Sequence, residues 1–157
     1  MTELVNRSSK SNQSVSITGV SYATCCSGTK YKNRDDLALI TLDPGSIVCG
    51  CFTISTMPSA PVIWSKKNIK KANNLKQKSV LLVNSGNANA FTGKEGLIAC
   101  KEKALALANA FKCDKKNIFF ASTGVIGEKL PYERIIQHFD FLKKNLSPFS
   151  LKEASKA

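Results

Sequence analysis

The chain has 157 residues, 43% of them hydrophobic and 22% charged, with a formal net charge of +12. That is enough for one compact core, or one part of a larger protein, and the composition is that of an ordinary globular domain. The charge comes from scattered lysines, with arginine only at Arg7, Arg34 and Arg134; a nucleic-acid reader needs Arg forks interleaved with aromatics on one face, so no nucleic-acid partner is expected.

The cysteines Cys25, Cys26, Cys49, Cys51, Cys100 and Cys113 include no C-x2-C pair, and the sole histidine, His138, has no ligand-spaced partner. A zinc ribbon and a disulfide scaffold are therefore both poor fits, and no metal is expected. Reduced thiols and a cytoplasmic location follow. No apolar run approaches a membrane span, so no membrane partner is expected.

Residues 1–14 are polar and read as a flexible tail. Residues 15–157 read as one α/β domain. Val15, Ile17 and Val20 alternate as a strand that ends near Tyr22, and Ser27–Asn33 is a turn or hairpin tip. Leu37–Leu42 is a strong strand, stopped by Asp43-Pro44-Gly45. Ile47–Ile54 reads as another, buried on both faces. Pro58 and Pro61 break the chain before Val62-Ile63-Trp64, and the Lys/Asn-rich Ser65–Lys78 is a connection or exposed helix.

Val80–Val83 is a buried strand, followed by a helix over about Lys94–Phe111 with Leu97, Cys100, Ala104, Leu107, Ala108 and Phe111 on one side. Asp114 and Asn117 mark a turn, and Ile118–Ala121 is the next strand. Pro131 opens a last helix whose Ile135, Phe139, Leu142 and Leu146 form one stripe. Alternating strands and helices predict a layered α/β fold.

Two strand exits stand out. Val83 runs into Asn84-Ser85-Gly86-Asn87-Ala88-Asn89-Ala90, and Ala121 into Ser122-Thr123-Gly124-Val125-Ile126-Gly127. Loops of this kind bring N–H groups and amides to a strand end, where ligands commonly bind. Thr123 and Gly124 pair a hydroxyl with a sterically open N–H, which suits a developing oxyanion, although Thr and Gly also close turns for conformational reasons alone. Asn84, Gly86, Asn87 and Asn89 are candidates for a substrate-binding loop, and the same residue types favour left-handed turns. His138 borders an apolar stripe and suits packing better than catalysis. Walker and dinucleotide cradles are absent, and no nucleophile stands beside a base.

Together and in this order, Asn84–Ala90, Ser122–Gly127 and Leu130-Pro131 resemble the ornithine acetyltransferase family, the bifunctional glutamate N-acetyltransferases of arginine biosynthesis. Arg34–Ile40, Gly50-Cys51-Phe52-Thr53 and Ala60-Pro61-Val62 sit where that family has similar segments, and the resemblance spans about Ile17 to Leu146. It implies the layered fold of a self-processing, N-terminal-nucleophile-like enzyme, incomplete in this chain. Such an enzyme cuts itself before a threonine, which then heads a second, β chain. That threonine takes acetyl from N-acetylornithine and passes it to glutamate through an acetyl-enzyme. Some members accept acetyl-CoA as co-substrate, and no cofactor is required.

By motif match, Thr123 and Gly124 are the oxyanion hole, the nucleophile lies outside this chain, and the assembly is an α2β2 heterotetramer. The cleavage motif and the strand expected after the last helix have no counterpart here. The chain is thus expected to be an α-chain portion stopping short of the cleavage site and inactive alone, although Ala157 matches the alanine that ends a processed α chain. Thr53 is followed by Ile54, where the family has Asn and a basic residue. The alternative reading is a non-catalytic basic binding module or inactive remnant.

Overall fold

The computed structural model describes residues 15–70 and 75–157. The expected tail, 1–14, lies outside them. Four strands form one mixed sheet in the order β1-β2-β3-β4: β1 Val20–Cys25, β2 Leu37–Leu42, β3 Ser79–Asn84 and β4 Ile118–Ser122. β1, β2 and β3 pair antiparallel, while β3 and β4 run parallel and are joined through the long helix α2, Gly93–Phe111. A parallel pair requires such a crossover, and the switch from a β-branched run to helical apolar spacing supplies it.

Alternation along the strands divides the sheet into two faces. Ala23, Leu39, Leu82 and Phe120 lie in one cross-strand row, and Val80 pairs with Ile118 beside it. These side chains meet Cys100, Ala104 and Leu107 of α2, together with Ile135 of α3 (Tyr132–Gln137) and Phe139 and Leu142 of α4 (Phe139–Lys144), in one core. The expected stripe on a single last helix is thus kept, but the helix is interrupted at His138. A further short helix, α5 (Leu151–Ala154), packs on β1.

Both sheet edges are closed by polar groups. α1, Ala60–Lys70, lies along β4, where the Ser65 hydroxyl donates to the Phe120 carbonyl and accepts from its N–H, each at 2.9 Å. Trp64 Nε1 and Asn68 Nδ2 donate to the Ile118 carbonyl at 2.9 and 3.0 Å. Side chains of a helix therefore stand where a fifth strand would pair, which removes an aggregation-prone edge. On the other side, Tyr22 and Ser147 exchange backbone hydrogen bonds of 2.9 Å.

Three expectations are corrected. β1 starts at Val20, not Val15, because Gly19 (φ 79°) turns the chain and its carbonyl accepts from Asp43 N–H. Residues 60–70 are helical throughout, since Pro61 sits in the first turn, where its missing N–H costs nothing. Ile47–Ile54 is no strand: β1 and β3 already occupy both flanks of β2, and the segment crosses the sheet's outer face without a ladder. Val48 and Phe52 half-pack there, lining a cavity of about 260 Å³ with Ile40, Leu42, Leu81 and Phe119, while Ile54 is 99% exposed. Among the described residues no helix is long and apolar enough to cross a membrane.

Candidate functional site

Because β3 and β4 are parallel neighbours, their C-terminal exits emerge side by side. The last ladder pair is Asn84 with Ser122. Pairing continues irregularly into the loops: Thr123 N–H donates to the Asn84 carbonyl at 3.0 Å, Val125 N–H to Gly86 at 3.1 Å, and Ala88 N–H to Val125 at 2.9 Å. Gly124 (φ 128°) sits so close to Gly86 that a Cβ would lie 2.2 Å from the Gly86 carbonyl carbon. A Cβ on Gly86 (φ 93°) would lie 2.7 Å from Cβ of Lys30. The two glycines permit backbone-to-backbone contact that any side chain would prevent.

The asparagines of the first exit turn inward. Asn84 Nδ2 donates to the Asn87 carbonyl at 2.8 Å, and its Oδ1 accepts from the Ser122 hydroxyl at 2.6 Å. Asn87 Nδ2 donates to the Glu128 carbonyl at 3.1 Å, and its Oδ1 accepts from Asn89 N–H at 2.7 Å. Asn89 is fully buried at φ 46°, donates to the Gly96 carbonyl at 3.1 Å and accepts from the Thr92 hydroxyl at 3.0 Å. Asn84, Asn87 and Asn89 were expected to offer their amides to a ligand; the structure instead commits them to bonds within the protein. Gly86, also in that expectation, is buried beneath Lys30 and Tyr31.

The second exit is different. Thr123 and Gly124 are exposed, and among the described residues neither the Thr123 hydroxyl nor the Gly124 N–H makes a hydrogen bond within the protein. The backbone is tied down at Thr123 by its own N–H and after Gly124 by Val125 N–H. The result is a hydroxyl and an amide N–H held on a rigid base and open to an incoming acceptor.

The β1–β2 connection forms a rim over this surface. Asp36, buried, accepts from Ser27 N–H at 2.6 Å and from its hydroxyl at 3.0 Å, and Asp35 accepts from the Thr24 hydroxyl at 2.5 Å. Lys30 pairs with Glu128 at 3.7 Å. Arg34 stacks on Tyr31, its Cζ 3.9 Å from the ring centroid, and donates to the Ser85 hydroxyl at 3.3 Å. Sequence reasoning met Arg34 and Ser85 only as parts of motifs, Lys30 only in a turn and Glu128 only as a carboxylate without a recognisable partner; their pairings were not foreseen, because spacing does not reveal which hairpin covers which loop.

His138 lies half-exposed at the α3–α4 break, away from these residues. The cysteines of the described chain are free, and burial, reinforced by Asp35 and Asp36, pushes the Cys25 thiol up to about 12, so it is a poor nucleophile at neutral pH. Another missed group is Lys103, fully buried on α2 with its ammonium 4.6 Å from the Phe120 ring centroid and without a hydrogen bond. Burial lowers it to about 8. Its place one turn after Cys100 and one turn before Leu107 put it inside the predicted apolar stripe, which was the available signal.

The ArgJ family model matches residues 21–157. The chain belongs to the ArgJ family. It is 43% identical over 141 residues to the arginine biosynthesis bifunctional protein ArgJ of Nitrobacter winogradskyi, covering 90% of this chain and 34% of that protein. The ArgJ of Gluconobacter oxydans is 39% identical over 141 residues, covering 90% and 32%. The chain thus spans about a third of the length of these curated relatives.

Among solved structures, ornithine acetyltransferase of Mycobacterium tuberculosis complexed with ornithine superposes with a TM-score of 0.79 at 26% identity, covering 89% of this chain and 75% of that one. ArgJ of Bacillus halodurans gives 0.69 at 32% identity, covering 76% and 61%. The α/β fold expected from the sequence is that of these ArgJ structures.

Proposed function

We propose that this chain forms the oxyanion-binding side of an acetyltransferase that moves acetyl from N-acetylornithine to glutamate through an acetyl-threonine intermediate. The single observation that carries the reading is the Gly86–Gly124 backbone contact, which fixes two strand exits as one surface and leaves the Thr123 hydroxyl and Gly124 N–H unbonded. As a nucleophile adds to the acetyl carbonyl, negative charge collects on its oxygen. Donors already aimed there stabilise the tetrahedral intermediate without reorganising. The same pair serves both halves of the double displacement, because each passes through such an oxyanion.

Among the described residues, neither hydroxyl of the adjoining strand exits donates to a side chain that could serve as a general base: Ser122 donates to the Asn84 amide and Ser85 to a backbone oxygen of Ala157. The reading therefore assigns attack to a threonine at the head of a second polypeptide, whose free amine accepts the proton, with α2β2 as the assembly. Acetyl-CoA is an alternative acetyl donor in the same scheme. The test is co-production of this chain with the C-terminal two thirds of the Nitrobacter relative, followed by an acetyl-transfer assay. Transfer is expected from the pair and not from this chain alone. Thr123→Ala should lower kcat by roughly 10²–10³, the cost of one oxyanion donor. A co-purifying pair without transfer, or Thr123→Ala at full rate, overturns the reading.

A further inference from the structure

We infer that the outward face of α1 is a docking groove for an acidic, amphipathic segment of another protein. Two large apolar side chains of that segment seat on either side of Ile63, and its carboxylates meet the lysines at the rim. The inference is independent of the acetyl-transfer reading. α1 spends its inner face on β4, through Trp64, Ser65 and Asn68. Ile63, Lys66, Lys67 and Lys70 recur at i, i+3, i+4 and i+7, which puts them in one row on the opposite side, and all four are exposed.

Two cavities open along that row. One, of about 390 Å³, is lined by Ile54, Pro58, Val62 and Ile63, with Lys66, Lys67 and Lys70 beside them. The other, of about 370 Å³, is lined by Met57, Pro58, Ile63, Phe91 and Leu97, with Lys94. Pro58 and Ile63 belong to both, so the two form one trough with room for an apolar side chain in each half. Phe91 is 68% exposed at φ 56°, a conformation in which a bulky residue is an outlier. Its neighbours hold it there: the Ala90 carbonyl accepts from Gly127 N–H at 2.9 Å, and the Thr92 hydroxyl donates to Asn89 at 3.0 Å. Strain of this kind persists only where the surroundings impose it, and it clusters at binding surfaces.

Charge decides what kind of occupant fits. Among the described residues no acid lines either cavity, and Lys66, Lys67, Lys70 and Lys94 make no ion pair. Glu95, beside Lys94, is paired with Lys129 at 3.0 Å instead. A second copy of this chain, at a net charge of +12, would bring like charge to the rim. An anionic bilayer would satisfy the lysines, but bilayers are entered by side chains that protrude from a surface. Concavities instead receive the anchors of a peptide, which supply affinity while rim charges supply selectivity.

The experiment is an NMR titration of the 157-residue chain, following the Ile63 and Phe91 amides. The probes are acidic dodecapeptides with Phe and Leu set two, three or four positions apart among Glu residues, and the same peptides with Gln for every Glu. Vesicles of phosphatidylserine are titrated separately. At least one acidic peptide should move both amides and bind about tenfold more tightly than its Gln counterpart, the sum of a few exposed ion pairs. Lys66→Gln, Lys67→Gln and Lys70→Gln combined should abolish that preference without changing affinity for the Gln peptide, which shows that the fold is intact. Ile63→Asp should weaken both peptides. If no acidic peptide moves these amides, or if the triple variant keeps the wild-type preference, the inference fails. Binding of vesicles without binding of any peptide overturns it in favour of a membrane surface.

Discussion

The two strand exits have similar composition and opposite uses. In the Asn84–Asn89 loop, side-chain amides are buried and bonded internally; in the Ser122–Gly127 loop, a hydroxyl and an N–H stand exposed and unbonded. One exit is a scaffold and the other presents donors. The lesson is that amide-rich does not mean ligand-facing: in a loop without ladder partners, Asn supplies the hydrogen bonds that strands would otherwise give to the backbone. Preorganisation of the open donors depends on saturation of the closed ones.

The largest effect expected from breaking this arrangement comes at the seam. Gly124→Ala places a methyl 2.2 Å from one backbone atom and 2.6 Å from two others, in a left-handed conformation as well. Backbone cannot yield as a flexible side chain can. A loss of about 4 kcal/mol or more, or failure to recover folded protein, is expected in urea unfolding. Near-wild-type stability would mean that the two exits do not touch.

Next in size is the scaffold loop itself. Asn89→Ala removes a fully buried amide and leaves the Gly96 carbonyl and the Thr92 hydroxyl without their partner. Unsatisfied buried groups cost about 1–3 kcal/mol, and this substitution should fall toward the upper end. The contrast with Thr123→Ala sharpens the comparison: Thr123 is exposed, so its loss should change stability by no more than about 0.5 kcal/mol. Scaffold and donor are thereby separable by the same unfolding measurement.

Much of this was legible in the sequence. Leu37–Leu42 matched β2 residue for residue, and the strands at Val80–Val83 and Ile118–Ala121 and the helix to Phe111 were found within a residue or two. In these segments local pattern and tertiary burial agree. Ile47–Ile54 failed because a buried strand and an apolar coil lying on a sheet share one composition; only the occupancy of β2's flanks separates them. The strand exits were named correctly as a pair, but the inward turn of Asn84, Asn87 and Asn89 was not, since Asn carries no mark of which way its amide points. Ser65 closing an edge strand from a helix is likewise invisible until both elements are placed.

Between the exits lies the remaining test. Asn89 Nδ2 reaches Cys100 Sγ at 3.6 Å, and Lys103, one turn further along α2, lies over Phe120, three residues before Thr123. Among the described residues the buried amine makes no hydrogen bond, and its lowered pKa of about 8, caused by burial and partly offset by Cys100, means that folding disfavours its proton. Between pH 8 and the ordinary lysine value of 10.5 the unfolded chain therefore binds more protons than the folded one, so this group makes stability rise with pH. Cys25 acts oppositely: its thiol is raised from 9.0, which makes stability fall once pH passes that value. The clean window is pH 7–9. There the urea midpoint of the wild-type chain should climb, whereas that of Lys103→Met should stay flat. At pH 7 the variant should be the more stable by on the order of 2 kcal/mol, because it fills the same volume without a desolvated charge. A less stable variant would show that the Phe120 ring compensates the buried ammonium fully, and that Lys103 helps to brace the strand leading to the open donors.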